Sequence, residues 1–152
     1  MNTSNRYYIL AGLGALAVLA IIVSIIFIVP ALGERAARAH VEEFGTKLQN
    51  VSLLDPNASS TMAQAYGPYL TTELLAAWQA DPESAAGRLT SSPWPARIEI
   101  DSVDPQGSGY TMSGRVIQAT SEGDAGETPV VVLVVKDDGE WKIAVYQERA
   151  ED

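Results

Sequence analysis

The chain has 152 residues, no cysteine, a single histidine, and ten Lys/Arg against nineteen Asp/Glu, for a net charge of −9 at neutral pH. That length accommodates one ordinary domain with an appendage, and not two domains. Without cysteine there is no disulfide framework and no lipid-modified cysteine anchor. So acidic a chain repels phosphate backbones, which removes nucleic acid from its expected partners.

From Tyr7 to Val29 the sequence reads YYILAGLGALAVLAIIVSIIFIV, without a single charge. As a helix rising about 1.5 Å per residue, the run covers about 34 Å, enough for a bilayer core of about 30 Å. Tyr7 and Tyr8 stand where an interfacial aromatic belt would lie, and Pro30 with Gly33 closes the run. The reading is a short tail at 1–6, a transmembrane signal anchor at 7–29, and a soluble domain at 30–152. A cleaved signal peptide is the competing reading, with Val29-Pro30-Ala31 and Ala37-Arg38-Ala39 as cleavage-like sites, but the apolar run is long for one. Ala11 and Ala15, with Gly12 and Gly14 nearby, form a small-residue pattern suited to helix self-association. The flanking positive charges are few, Arg6 before the run and Arg35 and Arg38 after it, and their count leans slightly against an external domain. A short tail before a long apolar run is nevertheless the form of a signal anchor, and it places the soluble domain outside the cytoplasmic membrane.

After Gly33, Ala37, Val41, Phe44, Leu48 and Val51 recur at steps of four and three, with Glu34, Arg38, Glu42 and Lys47 opposite. That spacing predicts an amphipathic helix, weakened at Gly45 and ending by Asp55-Pro56. Turn chemistry at 55–60 precedes a short helix to Tyr66, with Ser59, Ser60 or Thr61 as its cap, and Gly67-Pro68 breaks it. A further helix follows, capped by Thr71 or Thr72, with Leu74, Leu75 and Trp78 on its apolar face, and it stops at Asp81-Pro82.

From Arg97 the period changes to two. Ile98 and Ile100 alternate with Arg97, Glu99 and Asp101, and Asp104-Pro105-Gln106-Gly107 reads as a loose turn. A second strand sets Tyr110, Met112, Gly114, Val116 and Gln118 against Thr111, Arg115 and Ile117. The acidic, glycine-rich run 120–128 reads as a long, mobile hairpin tip. The third strand, TPVVVLVVK, is apolar on both sides, the mark of a strand covered twice or shielded at an oligomer interface. Asp137-Asp138-Gly139 is a tight turn into the last strand, EWKIAVYQE. Helices followed by four hairpin-connected strands define an α+β fold, with helices in the concave face of a curved antiparallel sheet.

That order, and the closing DDGEWKIAVYQ, resembles the NTF2-like superfamily of the cystatin-like fold, whose members often finish in such a hairpin. The YLTTELLAAW helix is similar to the second-helix region of those proteins. GRLTSSPWPARIEI further resembles a segment of membrane-anchored or exported proteins of Gram-positive bacteria, from which no activity carries over. The resemblance spans residues 34–148 and implies a conical cavity between helices and sheet. It does not imply a reaction, because this fold hosts isomerases, dehydratases and accessory domains alike.

Catalytic residues are not evident. His40, on the first amphipathic helix, reads as a boundary residue, and Asp101 and Asp104 as a solvated face. Ser91 and Ser92 have no base at a meaningful spacing. Neither cofactor nor metal is expected, since one histidine and no cysteine build no zinc site and EGDAGE at 122–127 lacks a calcium loop's alternation. Asn50-Val51-Ser52 and Asn57-Ala58-Ser59 match the glycosylation pattern by chance.

The candidate ligand- or partner-binding residues are Arg88, Thr90, Ser91, Ser92, Trp94 and Arg97. Pro93 and Pro95 hold Ser92 and Trp94 extended, so Trp94 projects from a stiff stretch. It either plugs the open end of the cone or forms an aromatic lip. Arg88 and Arg97 are the only cations between Lys47 and Arg115, suited to an anionic ligand, a partner carboxylate or an internal pair. The sequence therefore points to a non-enzymatic accessory or protein-binding module of a bacterial envelope assembly. It would be single-pass in the cell membrane, with protein partners or a second copy of itself. The alternative is a small-ligand-binding domain or enzyme using the cone.

Overall fold

A computed structural model of the chain describes residues 29–149. The chain divides into two compact units, 1–35 and 36–152. The apolar run at 7–29 lies outside the described residues except for Val29. Among the described residues, no helix is long and apolar enough to cross a membrane.

Helix α1 (Val29–Gly45) takes in Pro30 and Gly33, the residues expected to separate two segments. Ala37, Val41 and Phe44 are fully buried along one face, and Leu48 and Val51 continue that burial beyond the helix. The apolar phase is thus as expected, but the helix stops about ten residues early. Gly45 is the cause, because it lies against β1 (Trp94–Gln106), where a Cβ would collide with the backbone nitrogen of Ile98. The chain tightens there, with the Thr46 and Lys47 amides donating to the Glu43 and Phe44 carbonyls, and passes through a 3-10 turn at Leu48–Asn50.

Helix α2 (Ala58–Tyr66) starts one to three residues before the expected caps. Asp55 accepts the Asn57 amide at 2.7 Å, an Asx turn that sets the helix entry. The hydroxyls of Ser60 and Thr61 donate instead to the Asn57 carbonyl, from inside the first turn. Helix α3 (Thr72–Ala80) is capped as expected, the Thr71 hydroxyl accepting the Leu74 amide at 3.3 Å. Ser59 and Gln79 exchange two hydrogen bonds between α2 and α3, each side chain with the other's carbonyl.

The sheet is an antiparallel meander, β1, β2 (Gly109–Thr120), β3 (Gly123–Asp137) and β4 (Glu140–Glu148), in chain order. Strand β1 begins at Trp94 and runs through Asp104–Gln106, so the expected loose turn is strand, and the real turn is Gly107-Ser108 with Gly107 at φ +58. Pro95 and Pro105 are tolerated because β1 is an edge strand. The run 120–128 is likewise strand apart from a two-residue turn at 121–122, with Thr120 opposite Gly123. Asp138 (φ +49) and Gly139 (φ +86) make the expected tight turn into β4. Tyr69–Thr71 covers part of the outer edge of β4, the Thr71 amide donating to the Ile143 carbonyl and the Ile143 amide to that of Tyr69.

The helices lie on one face of this sheet, giving the α+β architecture. Val130, Val132 and Val134 face inward against Gly114, Met112 and Tyr110 of β2, and all three valines are buried. The space between helices and sheet is filled by aromatic rings. Phe44 stands 5.1 Å from Tyr66 and 6.4 Å from Trp78, and Trp78 stands 5.6 Å from Tyr146, centroid to centroid. Buried Tyr66 donates to the Ala86 carbonyl at 2.9 Å, so this interior ring leaves no unpaired hydroxyl.

Candidate functional site

The segment 87–97 is a joint between the helical part and the sheet. The Arg88 amide donates to the Val51 carbonyl at 2.8 Å, and the Leu53 amide to the Arg88 carbonyl at 2.9 Å, which fixes the backbone. Thr90 donates to the Pro93 carbonyl at 2.9 Å, closing a turn in which Ser91, Ser92 and Pro93 are exposed and the Ser92-Pro93 peptide is cis.

Trp94 pairs with Ala119 across the strands. Residues opposite one another share a face, and Ala119 alternates with inward-facing Gln118, so Trp94 lies on the outer face. It is half-buried there, apart from the aromatic core. It does not plug the interior, whose space Phe44, Tyr66, Trp78 and Tyr146 have taken.

Arg97 turns the same way and meets acids of its own chain. Its two terminal nitrogens hold Asp124 at 2.9 and 2.7 Å, and its Nε donates to Glu99 at 2.8 Å. The fork on Asp124 draws that carboxyl below the usual carboxylate range. Arg115, in the neighbouring row, donates to Glu127 at 2.9 Å and to Asp101 at 3.1 Å. These pairs recruit the acidic run after Thr120 into β3. Of the six candidate residues, Thr90 through Trp94 share one turn. Arg97 is internally paired, and the Arg88 side chain makes no ion pair among the described residues.

Another constellation gathers residues far apart in sequence. A cleft of about 590 Å³ lies between α1 and the β3–β4 hairpin, with His40, Glu43, Tyr69, Trp141 and Lys142 among its walls. The His40 Nε2 stands 3.1 Å from the Tyr69 carbonyl. Since a carbonyl only accepts, Nε2 is the donor in this contact. The Tyr69 hydroxyl donates to Glu43 at 2.7 Å. Burial, then that hydrogen bond and the Glu43 charge, push Tyr69 up to about 12. Lys142 donates to the Pro68 carbonyl at 2.7 Å and pairs with Glu140 at 3.1 Å.

These contacts fasten the 68–71 segment to α1 and β4. A phenol held neutral to about pH 12 is a hydrogen-bond donor at neutral pH and not a base, and the Glu43 carboxylate is engaged by it. Sequence reasoning named His40 but missed Glu43, Tyr69, Trp141 and Lys142 as its neighbours. They come together only through the Tyr69–Thr71 pairing with β4, and no local spacing announces that contact. Among the described residues, no three acidic or histidine side chains converge as metal ligands.

The class these features define is an α+β domain: three helices on one face of a four-stranded antiparallel meander, with a filled aromatic interior. Comparison of the chain with protein-family models, curated proteins and solved structures finds no match.

Proposed function

We propose that this chain is a docking module of the NTF2-like type, without catalytic activity. In this reading the 7–29 segment tethers it to the cell membrane and displays it outside the cytoplasm, within an envelope assembly. The observation that carries the reading is the division of the domain into a filled interior and an open outer sheet face. Phe44, Tyr66, Trp78 and Tyr146 occupy the place where a conical cavity would otherwise receive a substrate. On the opposite face, Val131, Leu133 and Val145 are only partly covered. The helices-then-meander order supports the NTF2-like assignment, and the charge-free run at 7–29 supports the tether.

A photoreactive amino acid at Leu133 tests the reading in native membranes. The expected product is a covalent adduct with protein, and irradiation that leaves the chain unmodified overturns it. A phosphatase fused after Asp152 should be active, as only a translocated fusion would be. The second reading, a small-ligand site, rests on the cleft beside His40, Tyr69 and Trp141. It predicts that a ligand raises the melting temperature of the native chain but not of Trp141→Ala.

A further inference from the structure

The two edges of the sheet are built differently. Strand β1 carries Pro95 and Pro105, which have no amide to donate to a further strand. Strand β4 has no proline, and Tyr69–Thr71 covers it only at Ile143 before the chain turns into α3. In an antiparallel pair, successive residues aim their backbone groups alternately at the partner strand and away from it. The Arg149 amide donates to the Pro129 carbonyl, so Arg149 points at β3. Glu148, opposite Val130, and Tyr146, opposite Val132, therefore aim their amides and carbonyls at the open side. Among the described residues no backbone group meets them there. What lies on that side is a groove of about 490 Å³ between β4 and the segment 83–89. Ala85 and Leu89 are on its far wall, and Leu89 is 57% exposed. Tyr146 and Glu148 are on its near wall, the hydroxyl donating to the carboxylate at 2.7 Å. Glu83 and Glu148, against Arg149, leave the groove acidic.

We infer that this groove receives an extended segment of another protein, added to β4 as a fifth strand. An apolar residue of that segment lies beside Tyr146 and Leu89, and a lysine or arginine two residues along lies beside Glu148. Main-chain hydrogen bonds to the Tyr146 and Glu148 backbone supply the affinity, and alternate side chains supply the choice of partner. Side chains two apart on a strand share a face, which is why one segment meets Tyr146 and Glu148 together. The open edge at 146–149 is about 13 Å long at about 3.3 Å per residue, the length of about four residues. The acidic groove selects a basic segment. It also disfavours a second copy of this chain, because two such edges would set Glu83 and Glu148 against their own likes. The wall at 83–89 admits a single strand but stands where a second sheet, backed by its own domain, would have to enter. This surface is separate from the outer face, so the inference goes beyond the docking-module reading and fails or stands independently of the Leu133 adduct.

Amide hydrogen exchange of the full-length, detergent-solubilised chain, read by NMR, tests the pairing itself. The probes are two capped peptides, Thr-Val-Thr-Lys and Lys-Thr-Val-Thr, which cover both strand directions. The controls are Thr-Val-Thr-Glu and fully N-methylated forms that form no edge hydrogen bonds. In the free chain the Tyr146 and Glu148 amides should exchange fast although they lie within a strand. One of the basic peptides at millimolar concentration should slow both by about tenfold or more, and the controls should not. Glu148→Lys, at an exposed position, should weaken that peptide by about tenfold. If circular dichroism shows Glu148→Lys unfolded, Leu89→Ser, also exposed, carries the same expectation. Failure of both basic peptides to slow the two amides overturns the inference, as does binding that leaves them unchanged or survives N-methylation. Amides already protected in the free chain also overturn it: a dimer by light scattering would then assign the edge to a second copy, and a monomer to the chain's own tail.

Discussion

Gly45 and Tyr69 are the residues on which the most structure turns. An exposed glycine in a helix is ordinarily improved by alanine, by about 1 kcal/mol. At Gly45 the sign inverts, because the new Cβ meets the Ile98 backbone, which has no flexible end to withdraw. Gly45→Ala is expected to destabilise by about 1–3 kcal/mol in urea unfolding, the range for overpacking a tight site. Tyr69 gives a second test. The unfolded phenol ionises near pH 10, and the folded one, held by burial and by Glu43, near about 12. Between those values the folded state retains the proton that the unfolded state has lost, so this contribution is full below pH 10 and declines as pH rises toward 12. Absorbance at 295 nm should include a tyrosinate step near pH 12 that Tyr69→Phe removes.

Among the elements, the apolar phases were the most legible. Ala37, Val41 and Phe44, then Ile98 and Ile100, fall inward as their spacing predicts. The Thr71 cap and the Asp138-Gly139 turn were equally plain, since each depends on residues adjacent in sequence. Boundaries were not. The end of α1 depends on β1, and the conversion of 120–128 from loop to strand depends on Arg97 and Arg115, far along the chain. The Arg97–Asp124 pair makes that conversion testable by acid. Asp124 is drawn below its ordinary value, first by hydrogen bonds from Arg97 and then by its charge. The pair's contribution is therefore full above the ordinary carboxylate range and disappears as pH falls through the folded value. Asp124→Asn should melt below the native chain at pH 7, and the gap should close in acid. A gap that stays constant with pH would contradict the pairing.

For the whole molecule, the sequence made the α+β order legible, but the surroundings of the candidate residues at 88–97 became visible only in the fold. The stiff GRLTSSPWPAR stretch drew attention because its prolines and tryptophan are conspicuous. In the fold its tryptophan lies on the outer face and its second arginine is occupied by Asp124. The double-sided apolarity of TPVVVLVVK reflects a face that the chain's described helices do not cover, and on the proposed reading that face is the docking surface. Direct labelling tests that account, because Ser91→Cys and Val145→Cys each place one thiol in a cysteine-free chain. Treated in intact cells with a membrane-impermeant maleimide, Ser91→Cys should label readily. Val145→Cys should label many-fold more slowly until the membranes are dissolved in denaturing detergent. Equal labelling of the two positions in intact cells would mean an uncovered sheet face and would contradict the docking account.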